Sequence, residues 1–564
     1  MAGPAWRTPG SVTMTLDLGS LKIDEVVLLQ QLRQDLKDDW FPDARAFEDV
    51  LASRQFETVL IENFAANAGA YKAPRADVLN VPKSNFTLRY ALETSIADRA
   101  LYQGLAAALA PYFDPLLPWQ VFNHRLRAKP GERDQGKRRS GKRYLFNGAI
   151  ESWRNFIGSV QSSLDGTTTL LSTDLTNYYE NINLETLRNT MLDLLPEVSA
   201  TPAQKAALRN QLSVLFECLS EWCYRSDRGL PQNRDASSFL ANVYMLPVDR
   251  AMIAAGYSYF RYMDDIKIVC RDIFHARRAL KDLTLELRKV GLSVNSGKTE
   301  ICEPNDTDKI STHLDHGGRE LQQLSAVWQT RSLKPISRSF SALKALTLKL
   351  LTEGGINKRA FRFCIRRMEA LAVCPEFAVP LAYFAEITPL VIEALTTHPS
   401  ATDQLVRYLR SVQLTDDQLA ALALFIQDKH KTTYTWQCYC LWLLLLQKEY
   451  KCPELLKYAT SLLESAPDDA NRSGAVLYAG ALGGDAERQA VARTFNRVRS
   501  YHGQRAALVA AQELDYKTIK SLVQPHIRAD LVGVYRGLGR QGIYFAQPAA
   551  EPITNFLDLG RDYD

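Results

Sequence analysis

The stretch Tyr257-Ser-Tyr-Phe-Arg-Tyr262-Met263-Asp264-Asp265-Ile-Lys-Ile-Val-Cys270 decides how the rest of the chain is read. Two short runs, 257–262 and 266–270, are rich in aromatic and β-branched residues and flank Met-Asp-Asp. That pattern predicts a β-hairpin with the acids at its tip. Adjacent carboxylates repel one another there unless cations neutralise them. A second apolar run, Thr169-Leu-Leu-Ser-Thr, ends on Asp174, and Leu175-Thr-Asn-Tyr178-Tyr179-Glu180-Asn-Ile182 follows it. Two acids from a hairpin and a third from a neighbouring strand end can hold two Mg2+ ions, because that ion prefers hard oxygen ligands. Such ions, about 3.5–4 Å apart, clamp the attacking and leaving oxygens of an in-line phosphoryl displacement.

Outward from this centre the chain divides by pattern. Its 564 residues argue for two or three domains at roughly 100–200 residues each. Residues 20–115 read as mostly helical, broken by a Gly-, Pro- and Asn-containing connection at 67–85. Residues 118–305 mix strands and helices, and Leu292–Val294 with Thr299–Cys302 around Asn-Ser-Gly suggests a second hairpin. From about Leu333 the strand signals vanish. Phe340, Leu343, Leu346 and Leu350 share one helical face, and amphipathic segments follow at 401–412, 415–429, 434–449, 453–465, 486–498 and 503–514. Thr415-Asp-Asp-Gln418 is a capping-box signature. Helices joined by short loops suggest stacked pairs, a HEAT-like solenoid. No clean sequence repeat accompanies them, so an irregular helical bundle stands as the alternative.

Composition narrows the class without naming a partner. Apolar residues make up 46% and charged residues 23%, and the net charge is only +5, so bulk charge neither demands nor excludes nucleic acid. A local patch speaks instead. Arg125 to Arg143 carries nine Lys or Arg against Glu132 and Asp134, with Tyr144, Phe146 and Trp153 close behind. Charge for phosphates beside rings for bases is what a single-strand groove offers, while a solvated loop is the plain alternative. Nine Cys without a C-x-x-C pair predict reduced structural thiols. No His forms a metal-spaced pair with Cys. No run approaches the ~20 apolar residues of a membrane span, and Met1-Ala-Gly-Pro-Ala-Trp-Arg has no apolar leader, so a cytoplasmic protein is expected.

The ordered set of motifs resembles the reverse transcriptase family. Asp174 to Ile182 is similar to the first palm motif. Gly229-Leu-Pro-Gln232 with Ser237-Ser238-Phe-Leu-Ala241-Asn242 is similar to the second, Tyr262-Met-Asp-Asp265 to the third, and Gly291-Leu-Ser-Val-Asn295 with Lys298-Thr299 to the fourth. Upstream, Pro82-Lys83, Arg89 and Gln103 resemble the fingers motif of bacterial members. The resemblance covers about residues 80–305. Where the family usually has Gly after Leu-Pro-Gln, this chain has Asn233, a residue that tolerates left-handed backbone.

The resemblance implies an α+β right-hand fold of palm and fingers, followed here by an all-α HEAT-like repeat domain. The expected divisions are a flexible tail at 1–20, fingers with the basic loop at 21–165, a palm at 166–325, helical repeats at 326–545 and a tail at 546–564. It implies Asp174, Asp264 and Asp265 as catalytic carboxylates, holding two Mg2+ ions (Mn2+ as a substitute) with the Leu175 carbonyl. Lys83, Arg89 and Lys298 would meet the triphosphate. Tyr179 would lie beneath the sugar and favour deoxynucleotides, and Gln232 would line the nucleotide pocket. The C-terminal helices and altered second motif resemble the bacterial abortive-infection and defence-associated reverse transcriptases. That group implies antiphage defence, template-independent DNA synthesis from dNTPs, protein priming, a single-stranded DNA product and a homo-oligomer, with no membrane. Tyr71, Tyr544 and Tyr563 are then candidate primers. A templated enzyme of retron or diversity-generating type, using a partner RNA, is the alternative.

Overall fold

The computed structural model describes residues 15–19, 21–36, 39–127, 145–314, 318–330, 332–533, 535 and 542–546. Most of the basic run, residues 128–144, lies outside these, as do Tyr563 and most of the expected terminal tails. The fold is mostly helical α+β.

At the N-terminus, β1 (Thr15–Asp17) and β2 (Lys22–Asp24) form a small antiparallel pair. Helices α1 (Glu25–Asp35), α2 (Glu48–Ser53) and α3 (Gln55–Ala66) follow. The sequence pattern missed the next element, a hairpin of β3 (Asp77–Pro82) and β4 (Leu88–Glu93). Its first strand carries Asn80 and Pro82, which disfavour strands, and pairing with β4 overrides that preference. Helix α4 (Ile96–Phe113) starts at a Ser95–Asp98 capping box and packs against α1 and α3.

The central sheet has four strands in the order β6-β7-β5-β8. Strand β5 is Thr169–Asp174, β6 is Ser258–Tyr262, β7 is Asp265–Cys270 and β8 is Glu300–Cys302. The expected hairpin around Met-Asp-Asp is present, with Tyr262 paired to Asp265. The expected second hairpin is not. Ser296–Lys298 forms a 3-10 turn, Val294 bridges to Leu175, and β8 pairs antiparallel with β5. Both flanking runs find a better partner in the buried central strand than in each other. Helices α5 (Ala149–Ser163), α6 (Tyr178–Asn181), α7 (Leu184–Leu194), α8 (Pro202–Trp222), α9 (Asp235–Ala254) and α10 (Ile273–Lys289) surround the sheet. Of these, α9 is buried along nearly its whole length.

After β8, α11 (Thr307–His313), α12 (Gly318–Gln329) and α13 (Leu333–Arg338) lead, among the described residues, to a further run of helices. These are α14 (Phe340–Thr352), α15 (Arg359–Val373), α16 (Ile387–Thr397), α17 (Thr402–Ser411), α18 (Asp416–Gln427), α19 (Thr435–Gln447), α20 (Pro453–Ser465), α21 (Ala470–Leu482), α22 (Asp485–Thr494) and α23 (Tyr501–Ala510). Thr415 and Gln418 form the expected capping box at the start of α18. Alternate helices pack in succession in two layers: α15, α17, α19, α21 and α23 in one, α14, α16, α18, α20 and α22 in the other. Helix α21, absent from the sequence pattern, lies between α19 and α23 in the first layer. Its Gly474 lies where a Cβ would come within 2.7 Å of Trp442, and its Gly480 where one would come within 2.5 Å of Ala510. Small residues admit neighbours on every side, which leaves no polar face to read.

The first layer returns to the N-terminal unit. The Trp436 indole donates to the Trp40 carbonyl at 2.7 Å, and the Tyr439 hydroxyl to the Pro42 carbonyl at 2.7 Å. Buried Arg505 on α23 pairs with Asp43 at 3.0 Å and with Asp49 at 2.6 Å. At its other end, Arg359 on α15 lies within electrostatic reach of Tyr262. The helical layer therefore runs from the β6–β7 hairpin back to the chain's beginning.

Candidate active site

Antiparallel register places the three acids together. Asp174, the last residue of β5, is paired with Asp265, the first of β7, and Asp264 lies in the adjoining turn. Met263 has φ +55°, a left-handed conformation that lets this tight turn present both acids. Burial and the neighbouring Asp174 carboxylate push the Asp264 carboxyl up to about 7. The Asp265 carboxyl is raised by burial, opposed by Lys267. Lys267 is itself buried and donates to Asp265 at 3.0 Å and to Ser172 at 3.2 Å. Lys298 donates to Asp174; burial works against its charge, but this bond and the nearby acids raise its pKa. Carboxylates gathered this closely, two of them with pKa values raised first by burial and then by their acidic neighbours, are hard oxygen donors. This donor set fits divalent cations of the Mg2+ type.

The turn is held from below by residues that the motifs did not flag. Fully buried Arg261 donates to the Met263 carbonyl at 3.0 Å and to Asn242 at 2.9 Å. It also makes a two-point pair with Asp249, at 2.8 and 2.6 Å. Such a planar, bidentate lock leaves the turn little rotational freedom. An Arg in mid-strand reads as an outward-facing residue, so only its buried partner on α9 reveals the role.

The other expected residues divide into those at the site and those away from it. Tyr179 is half-buried, shares a hydrogen bond with Ser238 at 2.9 Å and packs against Tyr178 at 5.4 Å between ring centroids. Leu175 follows Asp174 and is buried, with its backbone bridged to Val294. Glu180 gathers the outer groups: Gln232 donates to it at 3.3 Å and Lys83 lies 3.6 Å away, while Lys83 also donates to Asn177 at 3.0 Å. Arg89 lies over the Trp40 ring at 5.2 Å; burial lowers its pKa, opposed by Asp264, Glu180 and Asp403. Lys83, Gln232, Lys298 and Arg89 thus each approach the site, the first two at Glu180, Lys298 at Asp174 and Arg89 within electrostatic reach of Asp264. Gln103 does not, because its amide is buried against Asp35 at 2.8 Å.

Asn233 has φ +59°, so the left-handed turn survives without glycine. The next residue explains its neighbourhood. Arg234 is buried, donating to Glu93 at 3.1 Å and lying 3.7 Å from Asp35 and 3.6 Å from Asp39. Of the tyrosines considered as primers, Tyr71 is buried and donates to Asp98 at 2.6 Å, and Tyr544 is buried as well. Neither has the exposure that such a role requires. All nine cysteines are free.

The three acids lie together where β5 meets the β6–β7 turn, inside the stretch that the comparisons match. Residues 96–334 match the family described as reverse transcriptase (RNA-dependent DNA polymerase). The chain therefore contains a reverse transcriptase domain, and the enzyme is an RNA-directed DNA polymerase-like nucleotidyltransferase. No curated protein matches the sequence. Among solved structures, the chain is similar to telomerase from Candida albicans in complex with a TWJ fragment of telomeric RNA. The identity is 11% over 72% of this chain and 70% of that one, with a TM-score of 0.29. Among the described residues, no helix is long and apolar enough to cross a membrane.

Proposed function

We propose that this chain polymerises dNTPs into DNA at Asp174, Asp264 and Asp265, as an antiphage enzyme of the abortive-infection type that extends a single strand without a template and from a protein hydroxyl. The observation that carries the polymerase site is the convergence of these three acids, with Asp264 pushed up to about 7 by burial and by Asp174. Two Mg2+ ions, held by the three carboxylates and the Leu175 carbonyl, would supply charge neutralisation and activation of the attacking oxygen. Lys83, Arg89 and Lys298 bind the triphosphate and offset charge on the departing pyrophosphate. Tyr179, oriented by Ser238, packs under the sugar, and Gln232, oriented by Glu180, borders the base.

The single-strand reading draws on the helical layer. Its stacked pairs favour a HEAT-like solenoid as the domain after the palm. Along α15, Arg359, Arg362 and Arg366 recur at helical spacing, the first two exposed, and Arg407 on α17 joins Arg362 and Arg366 around Asp403. A phosphate backbone leaving the hairpin meets this cationic row first. The templated alternative, with a partner RNA, draws on the family's own description as RNA-dependent.

Labelled dNTP incorporation by purified protein with Mg2+ and no added nucleic acid, run on a denaturing gel before and after protease, tests this. Label that shifts with protease supports protein-primed, untemplated synthesis. Incorporation only after template and primer are added selects the RNA-templated reading. Asp264→Asn and Asp265→Asn should each lower the rate by at least about 10²–10³-fold, the scale of losing one charge-stabilising group. Undiminished activity in both proteins would overturn the site.

A further inference from the structure

The spacing of His and Cys in the sequence conceals a second donor cluster. Strand β8 carries Glu300 and Cys302 two residues apart, on one face. Helix α11 then brings His313 back over them. Candidate ligand atoms of Glu300, Cys302 and His313 all lie within 4.8 Å of one another. The His313 Nε2 is 2.8 Å from one Glu300 oxygen, while Lys309 meets the other at 3.1 Å. Cys302 is fully buried, and among the described residues its thiol has no hydrogen-bond partner. Ten residues separate Cys302 from His313, which is why no metal-spaced pair was visible.

We propose that Glu300, Cys302 and His313 form a structural site for a borderline-soft divalent cation, best matched by Zn2+, with water in the fourth position. Thiolate, imidazole and carboxylate together are a zinc-type donor set, unlike the all-oxygen acid cluster. The Lys309 contact engages the carboxylate oxygen away from His313 and so orients Glu300 rather than blocking it. Ligation exchanges the Cys302 S–H bond for a sulfur–metal bond and releases one proton to solvent. The ion would pin α11 to β8, and β8 is paired with β5, which ends on Asp174. This site is independent of the polymerase reading.

Chelator-treated full-length protein titrated with Co2+ in the presence of excess Mg2+ tests it. The expected result is a thiolate-to-cobalt charge-transfer band that saturates at one equivalent and is displaced by Zn2+. Cys302→Ser should abolish the band. Glu300→Gln and His313→Asn should weaken binding by more than the ~10–100-fold that loss of an outer partner costs. Asp264→Asn should leave it unchanged. Far-UV circular dichroism confirms that each variant is folded; Glu300→Gln, at a partly exposed position, serves if Cys302→Ser is not. A missing band in wild type, or an unaltered one in folded Cys302→Ser, Glu300→Gln or His313→Asn protein, overturns the proposal.

Discussion

Two trios of acids in this molecule have opposite fates. Asp35, Asp39 and Glu93 lie buried among Arg99 and Arg234, with Arg99 2.8 Å from Asp35 and 2.6 Å from Asp39. Every one of these acids touches a guanidinium, and the cluster joins α1, β4, α4 and the start of α9. Among the described residues, Asp174 pairs with Lys298 and Asp265 with Lys267, each a single-point cation, while Arg89 acts on Asp264 from a distance. The first trio is finished by the fold; the second is left with surplus charge and an open side. A site is thus marked less by the presence of acids than by the shortage of protein cations around them.

That contrast can be broken. Arg99→Met should destabilise the protein by about 3–5 kcal/mol, because it leaves three buried carboxylates with Arg234 as their remaining counter-charge. Chemical denaturation, with and without Mg2+, checks this, and the loss should be the same in both. A loss below ~1 kcal/mol, the range of surface pairs, would show that the trio is not a buried lock. Metal should act on the other trio. Mg2+ at a hundredfold its dissociation constant should stabilise wild-type protein by about 2.7 kcal/mol and Asp264→Asn protein by much less. Equal shifts in both would place the bound ion elsewhere.

The same contrast explains what could be read from sequence. Tyr262 to Asp265 was legible because its chemistry and local geometry coincide: strand, turn and acids occupy adjacent positions. Asp174 was legible because an apolar run ends on it. The lock around Arg99 and Arg234 was not, since its members span Asp35 to Arg234 and each reads alone as an ordinary surface charge. Arg234, next to the Asn233 departure in the second motif, ties that motif to the N-terminal unit. The β3–β4 hairpin and α21 escaped for a related reason. Pairing and close packing form them, against weak local preference in one case and without an amphipathic face in the other. The nucleotide-facing roles of Lys83 and Arg89 rested on family likeness alone; their approach to Glu180 and Asp264 depends on a hairpin the pattern did not show.

The smallest effect concerns how complete the first trio's neutralisation is. Burial, then Asp39, raises the Glu93 carboxyl to about 7, against the opposing pull of Arg234 and Arg99. Since the folded value exceeds the ordinary 4.5, the unfolded chain loses its proton first as pH rises. Glu93 therefore contributes stability that is complete below about 4.5 and fades as pH climbs through 7. Glu93→Gln should flatten the decline of stability between pH 5 and 8, and its benefit over wild type should be largest at pH 8. Denaturant midpoints across that range measure it directly. A parallel decline in wild type and variant would mean that Glu93 is already ionised at pH 5, with Arg99 and Arg234 neutralising it fully. The two trios would then differ more sharply still, one fully neutralised and the other keeping surplus charge at the β6–β7 turn.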